Sequence, residues 1–97
     1  MYILITAANS AEAYNQKRSL NSDKILLGDY LEVPEVLVRS GKLLQLPDPG
    51  NPSYQHLFLA MCLDKQVDTV YALRNAEKEM LAAAKTLFDE YGINLIL

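Results

Sequence analysis

Arg74 and Asp29 are the two residues whose types and positions could do chemistry. Arg74 closes the apolar run VDTVYALR and stands directly before NAEKEMLAAAKTLFDEYG, a segment with helical spacing. A guanidinium at the junction of a strand and a helix can grip a phosphate or a carboxylate with paired hydrogen bonds. Its plainer use is a salt bridge to Glu77 or Asp29, and that reading is preferred. Asp29 stands about twenty residues past the first turn, where dinucleotide folds place a ribose-binding carboxylate. Its plainer use is to stabilise the loop after Gly28. Glu77 and Glu79 read as charges in a first helical turn and not as an acid–base pair. His56, the only histidine, has no cysteine partner at ligand spacing and no readable Ser/Asp triad. It reads as a surface or helix-start residue, and no metal-ligand spacing is present.

These residues need elements to position them. Tyr2 to Thr6 is a continuous apolar run, the pattern of a parallel strand covered on both faces. A helix is expected from Ser10 to Leu20, with Asn9 as its N-cap and Glu12 at capping-box spacing. Lys24 to Leu27 forms a second strand, ending at Gly28, Asp29 and Tyr30. Pro34 to Ser40 reads as a short helix or irregular crossover. Lys42 to Leu46 makes a third strand, placed toward an edge. A helix opens at Pro52 or Ser53 and runs to Lys65, with Tyr54, Leu57, Phe58, Met61 and Cys62 as its apolar face. Val67 to Arg74 is the fourth strand. One long helix follows, with Met80, Leu81, Ala84, Leu87, Phe88 and Tyr91 inward and Glu77, Lys78, Lys85 and Asp89 largely outward. Gly92 ends it, and INLIL closes the chain as a fifth strand.

Alternation of this kind predicts right-handed βαβ units: an α/β, three-layer Rossmann-like domain with a five-stranded parallel sheet in the order 3-2-1-4-5. In such a sheet ligands bind beyond the carboxyl ends of the strands, where strand order reverses. The ligand-binding candidates are therefore Asn9 and Ser10 from the first loop, Asp29 and Tyr30 after the second strand, and Arg74, Asn75 and Glu77 after the fourth. The first turn, AANSAE, contains no glycine, so the backbone lacks the close approach that a pyrophosphate needs, and Glu12 would repel one. NAD-type binding is disfavoured on that ground.

Composition narrows the field further. The chain has 97 residues, enough for one domain with a core on each side of a sheet. Hydrophobic residues make up 51% and charged residues 22%, so it is globular and not disordered. A net charge of −3 and scattered Lys and Arg argue against a nucleic-acid binder. The single cysteine, Cys62, lies in the apolar run LFLAMCL and reads as a buried thiol. The start of the chain does not read as a signal peptide, and no apolar run approaches the ~20 residues that span a bilayer. A soluble, cytoplasmic chain is the default expectation, with no membrane partner.

With the strands placed, LLGDY, LLQLPDP, NPSYQHLFLAMCLDKQ, VDTVYALRNAEKEML and YGINLIL follow one another as in a known family. The chain resembles the N-terminal, pre-ATP-grasp domain of carbamoyl-phosphate-synthetase-like ATP-grasp proteins over nearly its whole length. It departs from that pattern in its first turn, glycine-rich in many relatives, and in stopping at Leu97, where relatives continue into the lobes that bind ATP and magnesium. The resemblance implies the fold and a substrate-side surface around Asn9, Asp29 and Arg74. It carries over no catalytic residue and leaves the cofactor unspecified. Three roles are open at this stage. One is a stand-alone, non-catalytic domain that binds a small molecule or a partner. Another is a substrate-side domain or subunit of an ATP-dependent carboxylate ligase, working with an ATP-grasp protein. The third is a degenerate nucleotide binder using Asp29 and Arg74. Homodimerisation is compatible with a domain this small.

Overall fold

A computed structural model describes all residues from Met1 to Leu97. Five strands, β1 (Tyr2–Ile5), β2 (Ile25–Asp29), β3 (Leu43–Gln45), β4 (Val67–Tyr71) and β5 (Asn94–Ile96), form one sheet. Every pairing is parallel, and the order is β3-β2-β1-β4-β5. Helices α1 (Ala11–Leu20) and α2 (Glu35–Arg39) connect the strands on one side of β1. Helices α3 (Tyr54–Asp64), α4 (Asn75–Ala82) and α5 (Lys85–Glu90) serve the other half. The architecture is the three-layer Rossmann-like one that the strand–helix alternation predicts.

Side chains alternate across β1 and separate the two cores. Leu4 joins Tyr54, Phe58, Val70, Leu81 and Phe88 in the larger one. Ile5 joins Ala8, Ala13, Leu27 and Leu43 in the smaller one. Tyr54, Phe58 and Phe88 form a tilted aromatic series, with centroids 5.6 and 6.2 Å apart, geometry that adds to simple area burial. Cys62 is fully enclosed there, and burial pushes its thiol up to about 12. No helix is long and apolar enough to cross a membrane.

Several local expectations are corrected. Ser10, not Asn9, caps α1: its backbone is extended, and its Oγ accepts the Ala13 N–H at 3.4 Å. That shift dissolves the expected capping box. Strand β4 stops at Tyr71: the Ala72 N–H makes the last ladder bond, to the Ile96 carbonyl, and the Leu73 N–H then turns to the Thr6 hydroxyl. Arg74 is still extended but acts as the N-cap residue of α4. The long terminal helix is two helices, interrupted at Ala83 and Ala84. Alanine has the highest helix propensity, so local preference does not account for the break. Leu57 and Tyr91, expected inward, are exposed. Glu77, expected outward, is fully buried.

Gly28 shows why β2 ends as LLGD. A Cβ at that position would lie 2.9 Å from Leu46 Cδ2 and 3.0 Å from the Leu44 carbonyl oxygen. The absent side chain lets β3 run close beside β2. That approach carries Gln45 into register with Asp29.

Candidate functional site

The carboxyl ends of β1, β2 and β4 deliver three loops to one place. Their meeting point is Asp29, which is fully buried. Its Oδ2 accepts the Asn9 N–H at 3.2 Å, and its Oδ1 accepts the Leu31 N–H at 3.2 Å. Arg74 adds two more bonds, Nε to Oδ1 at 3.0 Å and Nη2 to Oδ2 at 2.8 Å. All four lone-pair directions of the carboxylate are thereby filled. Burial pushes the Asp29 carboxyl up, but the Arg74 guanidinium and the two backbone N–H groups outweigh it, and the net direction is down. The same contact raises Arg74. Of the two salt bridges open to Arg74 in the sequence, the one to Asp29 forms, and Asp29 also braces the loop after Gly28.

Gln45 holds that loop from outside. Its Nε2 donates to the carbonyls of Asp29, Tyr30 and Leu31 at 3.1–3.2 Å, and its Oε1 accepts the Val33 N–H at 3.3 Å. The clamp sets Tyr30, whose ring lies 5.6 Å from the Arg74 guanidinium carbon in cation–π range. Arg74 is thus fixed by Asp29 along one edge and by Tyr30 across one face, with 26% of its side chain still open to solvent.

An open cleft of about 620 Å³ lies over this junction. Its walls include Ser10, Tyr30, Arg74 and Asn75, four of the seven residues singled out in the sequence, together with Glu12 and Lys78. Asn9 meets Asp29 through its backbone, and Asp29 sits beneath the Arg74 wall. Glu77 is not on the cleft surface. A larger hollow, about 850 Å³, lies at the far end of α1 beside Lys17, Arg18 and Asn21. Its lining is mostly exposed side chains that gather no buried polar group.

The two helix starts that face the cleft differ. At α1, Ser10 supplies the side-chain cap, and Glu12 adds a negative charge to the first turn. At α4, no side chain caps the first turn. Its leading N–H groups, at the positive end of the helix dipole, stand beside Arg74 and Lys78. The two cationic side chains that line the cleft, Arg74 and Lys78, therefore both stand on the α4 wall.

Behind it lies Glu77, with both carboxyl oxygens enclosed and without a hydrogen-bond partner. Burial pushes its carboxyl up to about 7, and Asp29 adds to that. The Thr6 hydroxyl, the Arg74 guanidinium and the Arg74 N–H pull it back, without either Thr6 or the N–H reaching hydrogen-bond geometry. The Tyr54 hydroxyl, on α3, is likewise enclosed and unpartnered, and burial with the nearby Glu77 charge pushes it upward.

Gln45, Lys78 and the Tyr54 hydroxyl were not singled out in the sequence. Gln45 had one usable signal, a polar residue in the apolar run KLLQL at the strand end nearest Asp29. Tyr54 gave none, because its ring already explains it as a core aromatic.

No protein-family model matches the chain, and a search of the curated proteins finds no match.

Proposed function

We propose that this chain is a non-catalytic, pre-ATP-grasp-like domain that binds a small anionic molecule, a carboxylate or a compact phosphate, at the α4 wall of the cleft. The observation that carries this reading is the uncapped first turn of α4 beside Arg74 and Lys78. Free N–H groups and the positive dipole end favour an anion, and Asp29 holds the guanidinium in one orientation before any ligand arrives. Preorganisation of this kind lowers the cost of binding.

The two buried carboxylates argue for binding over turnover. Asp29 has filled its acceptor sites, and Glu77 is closed off from the cleft. Neither can reach a substrate proton in this arrangement, as a general acid or base must. The capped start of α1 and its Glu12 weigh against a pyrophosphate in the usual dinucleotide position.

A thermal-shift panel of sulfate, pyrophosphate, citrate and ATP tests the reading. Ligand at about a hundred times its Kd adds about 2.7 kcal/mol, roughly 10–20 °C in Tm for a domain of this size. Stabilisation by at least one anion, reduced in Lys78→Ala, is the expected result. A flat profile across the panel overturns the proposal.

A further inference from the structure

Glu77 occupies the third position of α4, immediately beneath the turn whose N–H groups face the cleft. It is fully buried, and neither carboxyl oxygen has a partner. Its polar surroundings come from four directions. The end of β1 contributes the Thr6 hydroxyl, whose oxygen already accepts the Leu73 N–H at 2.9 Å. From the end of β2 comes Asp29, and from the start of α4 comes Arg74, with Tyr30 against the far side of its guanidinium. Helix α3 supplies the Tyr54 hydroxyl, with the Cys62 thiol beyond it. Lys78, the next residue of α4, lies on the cleft wall.

This neighbourhood holds two carboxyl groups and one guanidinium. Arg74 commits both Nε and Nη2 to Asp29, so one buried carboxyl is fully compensated and the other is not. An uncompensated buried carboxylate is costly, and the usual outcome is that it takes up a proton. The Glu77 side chain lies under the first turn of α4.

Resting on the anion-binding reading above, we infer that Glu77 couples protons to the cleft: binding an anion at the first turn of α4 draws a proton from solvent onto the Glu77 carboxylate. Ionised Glu77 sets a negative charge behind the turn and opposes the field of Arg74, Lys78 and the helix dipole. Protonated Glu77 removes that opposition. Linkage is reciprocal, so whatever favours the anion also favours the proton. The raised Glu77 carboxyl lets this exchange occur near neutral pH.

Calorimetric titration with sulfate, in buffers of unlike ionisation enthalpy, reads both binding and proton uptake. Wild-type protein is expected to take up protons on binding near pH 7 and to lose affinity about 5- to 10-fold between about pH 6 and pH 8. Glu77→Gln fixes the uncharged form, so its affinity is expected to stay flat over that range, with no uptake. His56→Gln, which removes the only histidine, is expected to keep the wild-type slope. A carbon-13 titration of the Glu77 carboxyl in the wild type gives a readout that does not depend on the variant folding. Sulfate binding with no proton uptake overturns this inference and leaves the cleft reading standing. No sulfate binding at any pH overturns both.

Discussion

The Arg74 guanidinium meets the Asp29 carboxylate through two hydrogen bonds, 3.0 and 2.8 Å, across 45 residues of chain. That contact ties the loop after β2 to the start of α4, and Asp29 draws in the loop after β1 through the Asn9 N–H. Arg74→Ala leaves a fully buried carboxylate without its cation and is expected to cost about 3 kcal/mol. Arg74→Lys restores a charge without the planar fork and is expected to recover only part of the loss. Denaturant unfolding at neutral pH measures both. A loss below about 1 kcal/mol, the range of a surface pair, would contradict the account.

Glu77 and Asp29 give stability opposite pH dependences. Glu77 has a folded-state pKa, about 7, above its ordinary 4.5. Its protonated form therefore contributes stability that is complete below about pH 4.5 and is lost as pH rises through about 7, with a span of about 3 kcal/mol. For Asp29 the folded-state value lies below the ordinary one. Its contribution is present at neutral pH and falls away as pH drops through the acid range. Unfolding curves from pH 5 to pH 8 are expected to show the wild type losing stability while Glu77→Gln stays nearly level. Equal slopes for the two proteins would refute the assignment.

At Gly28 the chain through β3 leaves no room for a side chain on β2. Gly28→Ala sets a methyl against Leu46 and the Leu44 carbonyl, and the overpacking is expected to cost about 1–3 kcal/mol. Thermal unfolding measures it, and an unchanged Tm would show that β3 can move aside.

Gln45 makes four hydrogen bonds to the loop that carries Tyr30. Gln45→Ala is expected to cost about 1–2 kcal/mol and to speed amide exchange at Val33, whose N–H the side chain accepts. Val33 exchange at the wild-type rate would show that the loop holds itself.

Sheet order and layers were legible because long apolar runs such as YILIT and VDTVYAL alternate with helical spacing, and the rules for parallel connections leave few topologies. The meeting of Arg74 with Asp29 was legible as one of two alternatives, the other being Glu77, since both residues stand at strand ends on the same edge of the sheet. Glu77 was misplaced because helical periodicity grades a face by neighbouring residue types, and a glutamate in a first turn looks like a solvated charge. Its enclosure comes from the ends of β1 and β2 together with α3, groups far away in sequence that no local pattern reveals. Gln45 acts through backbone carbonyls sixteen or fewer residues away, a relationship that carries no residue-type signature. Asn9 lost the cap to Ser10 because both residues suit that role, and the backbone path after Ala7 decided between them.

The most direct test of the central claim is a nitrogen-15 NMR titration with sulfate, following the backbone amides and the Arg74 Nε. The expected result is a set of saturable shifts at Asn75, Ala76, Glu77 and the Arg74 Nε, weakened several-fold in Lys78→Ala. Shifts confined to Ala11–Ala13 at the start of α1, or none at saturating anion, would contradict the claim that the α4 wall is the binding surface.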